Sequence, residues 1–214
     1  MKRINKKLFL ITTVAVLLPL LAGLVMWNHL PETMTTHWGA DGKPDGTASR
    51  AFAVFATPLF LLLMHFVCVF STLFDDGNKK QSSKVLAIAY WAMPLVSLYA
   101  GIMIYGAAFN LHIDAMQVMT LLMGVLFIII GNYLPKCTPN STIGIRIPWT
   151  LQDTENWRHT HRFGGKCFLA CGLALFPCAL LPSRMQLSAV LILLLITIAS
   201  CTAYSYHLHK KKRP

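Results

Sequence analysis

Six long apolar stretches alternate with polar ones along the chain, at 8–27, 51–74, 85–108, 115–134, 163–181 and 187–206. A helix rising about 1.5 Å per residue needs about 20 apolar residues to cross about 30 Å of hydrocarbon. Four of the stretches hold no charged residue; 51–74 contains His65 and 163–181 contains Lys166 near its start. The pattern predicts an all-α fold: a polytopic bundle of six transmembrane helices, plus a short interfacial helix before the fifth. The first stretch follows Lys2, Arg3, Lys6 and Lys7 and has the outline of a signal peptide. It is longer than an ordinary signal core and no small-residue cleavage site follows, so a retained helix is expected.

Composition agrees. Of the 214 residues, 55% are hydrophobic and 13% charged, against roughly 25% charged in soluble domains. A soluble globule and a disordered chain are both excluded. The net charge of +11 reports topology rather than nucleic-acid binding, because the cations must sit in the few stretches outside the bilayer. Alternate polar regions divide the 19 Lys and Arg residues 16 to 3. That asymmetry predicts both termini inside the cell, with loop 28–50 outside and loop 135–165 inside. Two halves are expected, 1–114 and 115–214. Trp27 and Tyr105 near outer ends, and Phe74, Tyr133 and Tyr206 near inner ends, suit the interfacial depths that aromatic rings prefer.

Small residues such as Gly124, Gly131 and Gly172 let helix backbones approach closely in lipid, and Pro58, Pro94 and Pro177 are candidate kinks. Cys68, Cys137, Cys167, Cys171, Cys178 and Cys201 form no CxxC pair, which points to scattered thiols rather than a disulfide framework or a zinc site.

Two loops are richer in turn residues than connection requires. In the outer one, Asp41-Gly42 and Asp45-Gly46 are turn dipeptides and Thr35–Trp38 reads as a short extended piece. They would hold His37 and Trp38 near the outer membrane surface, with Trp38 either an interfacial anchor or a ligand contact. His37 with Asp41 and Asp45 is weak as a metal set, and no cofactor or metal is expected. In the inner loop, Ile143, Ile145 and Ile147 alternate with Gly144 and Arg146, predicting a short strand ended by Pro148. Thr150 or Asp153 can cap the following helix, on which Trp157 and His161 share a face. Arg146, Arg158 and Arg162 with Trp149 and Trp157 make a basic, aromatic surface, suited either to anionic lipid or to a docking partner. His65, in mid-span, is a functional candidate by its depth or a neutral imidazole bonded to a neighbouring helix.

The outer loop, through Pro31, His37, Trp38, Ala40, Gly42, Pro44, Asp45 and Gly46, resembles a domain of unknown function found in many bacterial membrane proteins. Met34-Thr35 stands where that pattern usually reads Ile-Pro. The inner loop resembles the SdpI immunity family through Gly131, Asn132, Pro135, Lys136, Pro139, Asn140, Gly144, Ile145, Arg146, Pro148, Trp149, Thr150, Leu151, Trp157, Thr160, His161, Arg162, Gly164 and Gly165. The resemblance implies a bacterial plasma-membrane protein, not an enzyme, that protects its cell from a secreted membrane-active peptide toxin. It also implies capture of a small repressor protein at the inner face, as in the family's best-known system. The partners expected are thus the bilayer, a peptide toxin outside and a repressor inside, with no direct contact to nucleic acid; a homo-oligomer is left open. A small exporter or channel is the competing function. An enzyme using His37 or His161 lacks a paired acid, base or nucleophile.

Overall fold

The computed structural model describes residues 5–212. The basic residues Lys2, Arg3 and Arg213, part of the charge count above, lie outside them. Two compact units are described separately: one of residues 5–73 with Leu86–Ala115, the other of Phe74–Val85 with 116–212.

The first unit begins with α1 (Lys6–Val25), whose first turn is capped by Asn5 Oδ1 accepting from the Leu8 amide. A two-stranded hairpin follows, β1 (Thr33–Trp38) against β2 (Pro44–Ser49), antiparallel. Only β1 was legible in the sequence. Asp41-Gly42 does make the turn: Gly42 has φ +76°, which favours glycine, and its amide donates to the Gly39 carbonyl. Asp45-Gly46 is instead part of β2, where Gly46 faces His37 across the pair. A π-helical turn, Phe52–Ala56, leads into α2 (Thr57–Phe74). The third helix, α3 (Ser83–Ala108), returns along α1. Around Pro19 the Ser97 and Tyr105 hydroxyls donate to the Val16 and Pro19 carbonyls at 2.7 and 2.6 Å, tying α3 to α1. Leu30, Met34, Ala53, Val54 and Ile104 form the core beneath the hairpin, and Trp27, Trp38 and Tyr105 pack on it.

In the second unit α4 (Ala115–Tyr133) runs into a 3-10 turn, Leu134–Lys136. A loop and the short helix α5 (Pro148–Gln152) follow, then α6 (Thr154–Cys178) and α7 (Ser183–Lys211). Phe127, Cys171, Leu175 and Val190 are its apolar core. Gly131 lies so close to Gly165 that a Cβ on either would strike the other's carbonyl oxygen, the close approach expected of small residues in lipid. The buried Gln186 accepts from Thr120 and donates to the Leu181 carbonyl, tying α7 to α4 and to the turn after α6.

Among the described residues, five helical segments are long and apolar enough to cross a bilayer: Lys6–Val25, Phe52–Phe74, Ser83–Ala108, Ala115–Lys136 and Ser183–Lys211. Many of their large apolar side chains are exposed, as lipid contact requires. The stretch 163–181 is not among them. It is the second half of α6, and Arg162 and Lys166 leave too short an apolar run before the helix ends at Cys178. A separate short helix, α5, precedes it, and the helix expected to carry Trp157 and His161 runs on into this stretch. Trp157 and His161 stand in the first turns of the same continuous α6, which Gly164 and Gly165 do not interrupt.

Candidate functional site

The inner-loop motif folds into one hydrogen-bonded module over the start of α6. The expected strand through Ile143–Ile147 is absent. Asn140 turns the chain instead: its Oδ1 accepts from the Thr142 and Ile143 amides at 2.8 and 2.6 Å, and its Nδ2 donates to the Thr138 and Ile143 carbonyls. Gly144 follows at φ +121° with the Trp157 ring against it, a conformation that pairs with no strand.

Three side chains from the segment before α3 clamp this loop. Asp75 accepts from the Ser141 amide at 2.7 Å and the Thr142 hydroxyl at 3.0 Å. Asn78 donates to that same hydroxyl at 2.6 Å. Gln81 brackets Thr138, accepting from its amide and donating to its carbonyl. Sequence reasoning missed all three, which lie some 57–67 residues from their partners.

The α6 side of the module is buried. Trp157 is 1% exposed and its indole N–H donates to the Cys137 carbonyl at 2.9 Å. It therefore cannot belong to the basic, aromatic surface expected of it. His161 stacks on it with ring centroids 4.0 Å apart. The imidazole Nδ1–H donates to the Trp157 carbonyl at 2.8 Å, and Nε2 accepts from the Ile145 amide at 3.0 Å. That geometry requires the neutral ring. Burial accordingly pushes the His161 pKa down to about 4 and the nearby Cys137 thiol up to about 11. With both nitrogens engaged, His161 has none left for a metal, and among the described residues no three His, Cys, Asp or Glu side chains converge on one.

Asn156, 1% exposed, donates to the Ser205 carbonyl and accepts from the Thr160 and Ser205 hydroxyls, fastening α6 to α7. Asp153 caps α6 by accepting from the Glu155 and Asn156 amides. Lys212 bridges Asp153 and Glu155 and holds both carboxyls below their ordinary range. Thr150 caps α5, accepting from the Ile147 amide. Trp149 is half-buried, stacked on His209 and edge-on to Tyr206. Exposed residues of this segment include Asn132, Pro135, Lys136, Arg146, Pro148, Leu151, Arg158 and Arg162, so four cations stand among polar and apolar neighbours. Lys136 lies over the Tyr133 ring, and Arg146 donates to the Ser141 carbonyl.

In the hairpin, Met34 is 1% exposed and anchors β1 to the core; Trp38 packs on the same core. Arg50 stacks over Trp27 and donates to the Trp27 and Leu30 carbonyls, a contact the sequence did not reveal. His37 and Asp45 form an exposed pair at 2.5 Å, with Lys43 and Pro44 exposed beside them and Asp41 and Gly42 half-buried at the turn. Asp41 Oδ1 accepts from the Lys43 amide rather than from His37. His65 is fully buried. Its Nε2–H donates to Thr12 Oγ1 at 3.3 Å, the Thr12 hydroxyl donates to Leu8, and Phe9 stacks on the ring.

Residues 136–205 match the SdpI/YfhL protein family, and residues 14–62 match the Domain of unknown function (DUF1648). The protein named Immunity protein SdpI, from Bacillus subtilis (strain 168), is 25% identical over 202 residues, covering 94% of this chain and 96% of that one. No solved structure matches the chain.

Proposed function

Since the chain carries an SdpI/YfhL-family region at 136–205, we propose that it is a non-enzymatic immunity protein of a bacterial plasma membrane, protecting its cell from a secreted membrane-active peptide. The observation that carries this is the near full-length similarity to a protein named for immunity, which takes in both polar modules. In this reading α6 crosses the membrane together with the five longer apolar segments, giving six spans, and both termini lie inside. Lys166 and Arg162 extend to the headgroups from the start of α6, as long cationic side chains do at membrane boundaries. The hairpin then faces outward, presenting His37, Lys43, Pro44 and Asp45 to the toxin. The module around Asn140 and Trp157 faces inward and offers Arg146, on its exposed loop, to a soluble repressor.

Expression in a toxin-sensitive host, followed by survival counts under exposure to peptides of this class, tests the reading. Raised survival that depends on an intact hairpin is expected. No protection against any such peptide, from protein shown to be in the membrane, would remove it.

A further inference from the structure

The cations of α6 have a setting that immunity does not explain. Arg158, Arg162 and Lys166 recur every fourth residue, so they form one stripe about 12 Å long on a single helix face. All three are exposed, and none forms an ion pair among the described residues. The four carboxylates of this unit are engaged elsewhere: Asp75 by the 141–142 loop, Asp76 by Lys79, and Asp153 and Glu155 by Lys212. Immediately beyond Lys166 the exposed residues turn apolar, with Leu169, Leu173 and Phe176. Lys136, which follows the Pro135 that packs on Gly165, is a further exposed cation of this unit, over the Tyr133 ring.

We propose that the Arg158–Arg162–Lys166 stripe binds the phosphate of anionic phospholipid headgroups, with the acyl chains lying along Leu169, Leu173 and Phe176. A guanidinium fork matches a phosphate bidentately, and the aliphatic stems of Arg and Lys pack on apolar surface while their heads stay polar. An acidic soluble protein would match the charge but not the apolar continuation of the same face. A lipid matches both.

The test uses the full chain in phosphatidylcholine bilayers doped with phosphatidylglycerol, with retained lipids counted by native mass spectrometry. The wild type should retain phosphatidylglycerol in preference to phosphatidylcholine. Each Arg158→Gln, Arg162→Gln or Lys166→Gln change should lower that preference about fivefold, and the triple change about a hundredfold. The charge-preserving set Arg158→Lys, Arg162→Lys and Lys166→Arg should fall between wild type and the triple Gln variant, because it keeps the charge but loses two forks. Lys80→Gln, Lys84→Gln and Lys211→Gln together, equal in charge lost but off the stripe, should leave it intact. Helicity and melting in pure phosphatidylcholine confirm that each variant folds. Equal loss in the off-stripe set would overturn the proposal, as would an unchanged preference in the triple variant. So would competition by inorganic phosphate as effective as by lipid.

Discussion

At the scale of single residues, most of the inner motif holds the loop rather than facing a partner. Asn140, Thr150, Asn156, Trp157, Thr160 and His161 are all buried. Trp157→Ala should therefore cost about 3–5 kcal/mol in unfolding of the purified chain, by removing a buried indole and its hydrogen bond. Arg146→Ala should leave the melting temperature nearly unchanged while reducing protection in the survival assay, and Lys211→Ala should alter neither. Equal melting temperatures for the Trp157 and Arg146 variants would refute that division.

His161 makes the same point through pH. Its pKa in the fold, about 4, lies below the ordinary 6.5, so between those values the unfolded chain takes up the proton that the native ring refuses. The ring's stabilisation is complete above about 6.5 and is lost as pH falls through about 4. Melting temperature should decline across that window, and His161→Gln should flatten this part of the decline. A profile identical in wild type and variant would contradict the neutral ring.

Helices and strands show why some features were legible and others were not. The apolar stretches announced α1, α2, α3, α4 and α7 because spanning length depends on local composition alone. The capping of α6 by Asp153 was legible too, since a side chain that reaches the next two amides needs only local spacing. Asp153→Ala should cost about 1 kcal/mol through the lost cap. Lys212→Ala should shift melting little, because the bridge it breaks is solvent-exposed; thermal unfolding of the two variants distinguishes them. The strand expected through Ile143–Ile147 failed because alternation marks a strand only where a partner strand exists. Here the Ile145 amide is taken by His161, and Gly144 adopts a left-handed conformation. The second hairpin strand escaped notice because Pro44, Asp45 and Gly46 carry turn chemistry; it forms because Met34 and Trp38 pin the opposite strand to the core. Met34→Ala should loosen this hairpin at a cost of about 2–5 kcal/mol, read as faster proteolysis within 33–49.

For the molecule as a whole, the basic and apolar pattern carries the membrane character, while the proposed placing of the hairpin outside and the α6 module inside is argued from charge asymmetry. The two modules differ in build. The hairpin is anchored from one side, by Met34 and Trp38, and leaves His37 and Asp45 in solvent. The inner module is cross-linked through Asp75, Asn78, Gln81, Asn140 and Trp157, so its cations stand on a fixed base. Those long-range links could not be read from spacing, because side chains distant in sequence choose partners only once the helices have packed.

Labelling of two single-cysteine variants, Lys43→Cys and Arg158→Cys, in intact cells with a membrane-impermeant maleimide tests the central claim most directly, using a background in which the six native cysteines are replaced. Rapid labelling is expected at 43, and labelling at 158 only after the cells are opened. Labelling of both positions in intact cells, or of neither, would place the hairpin and the α6 platform on one side and contradict it.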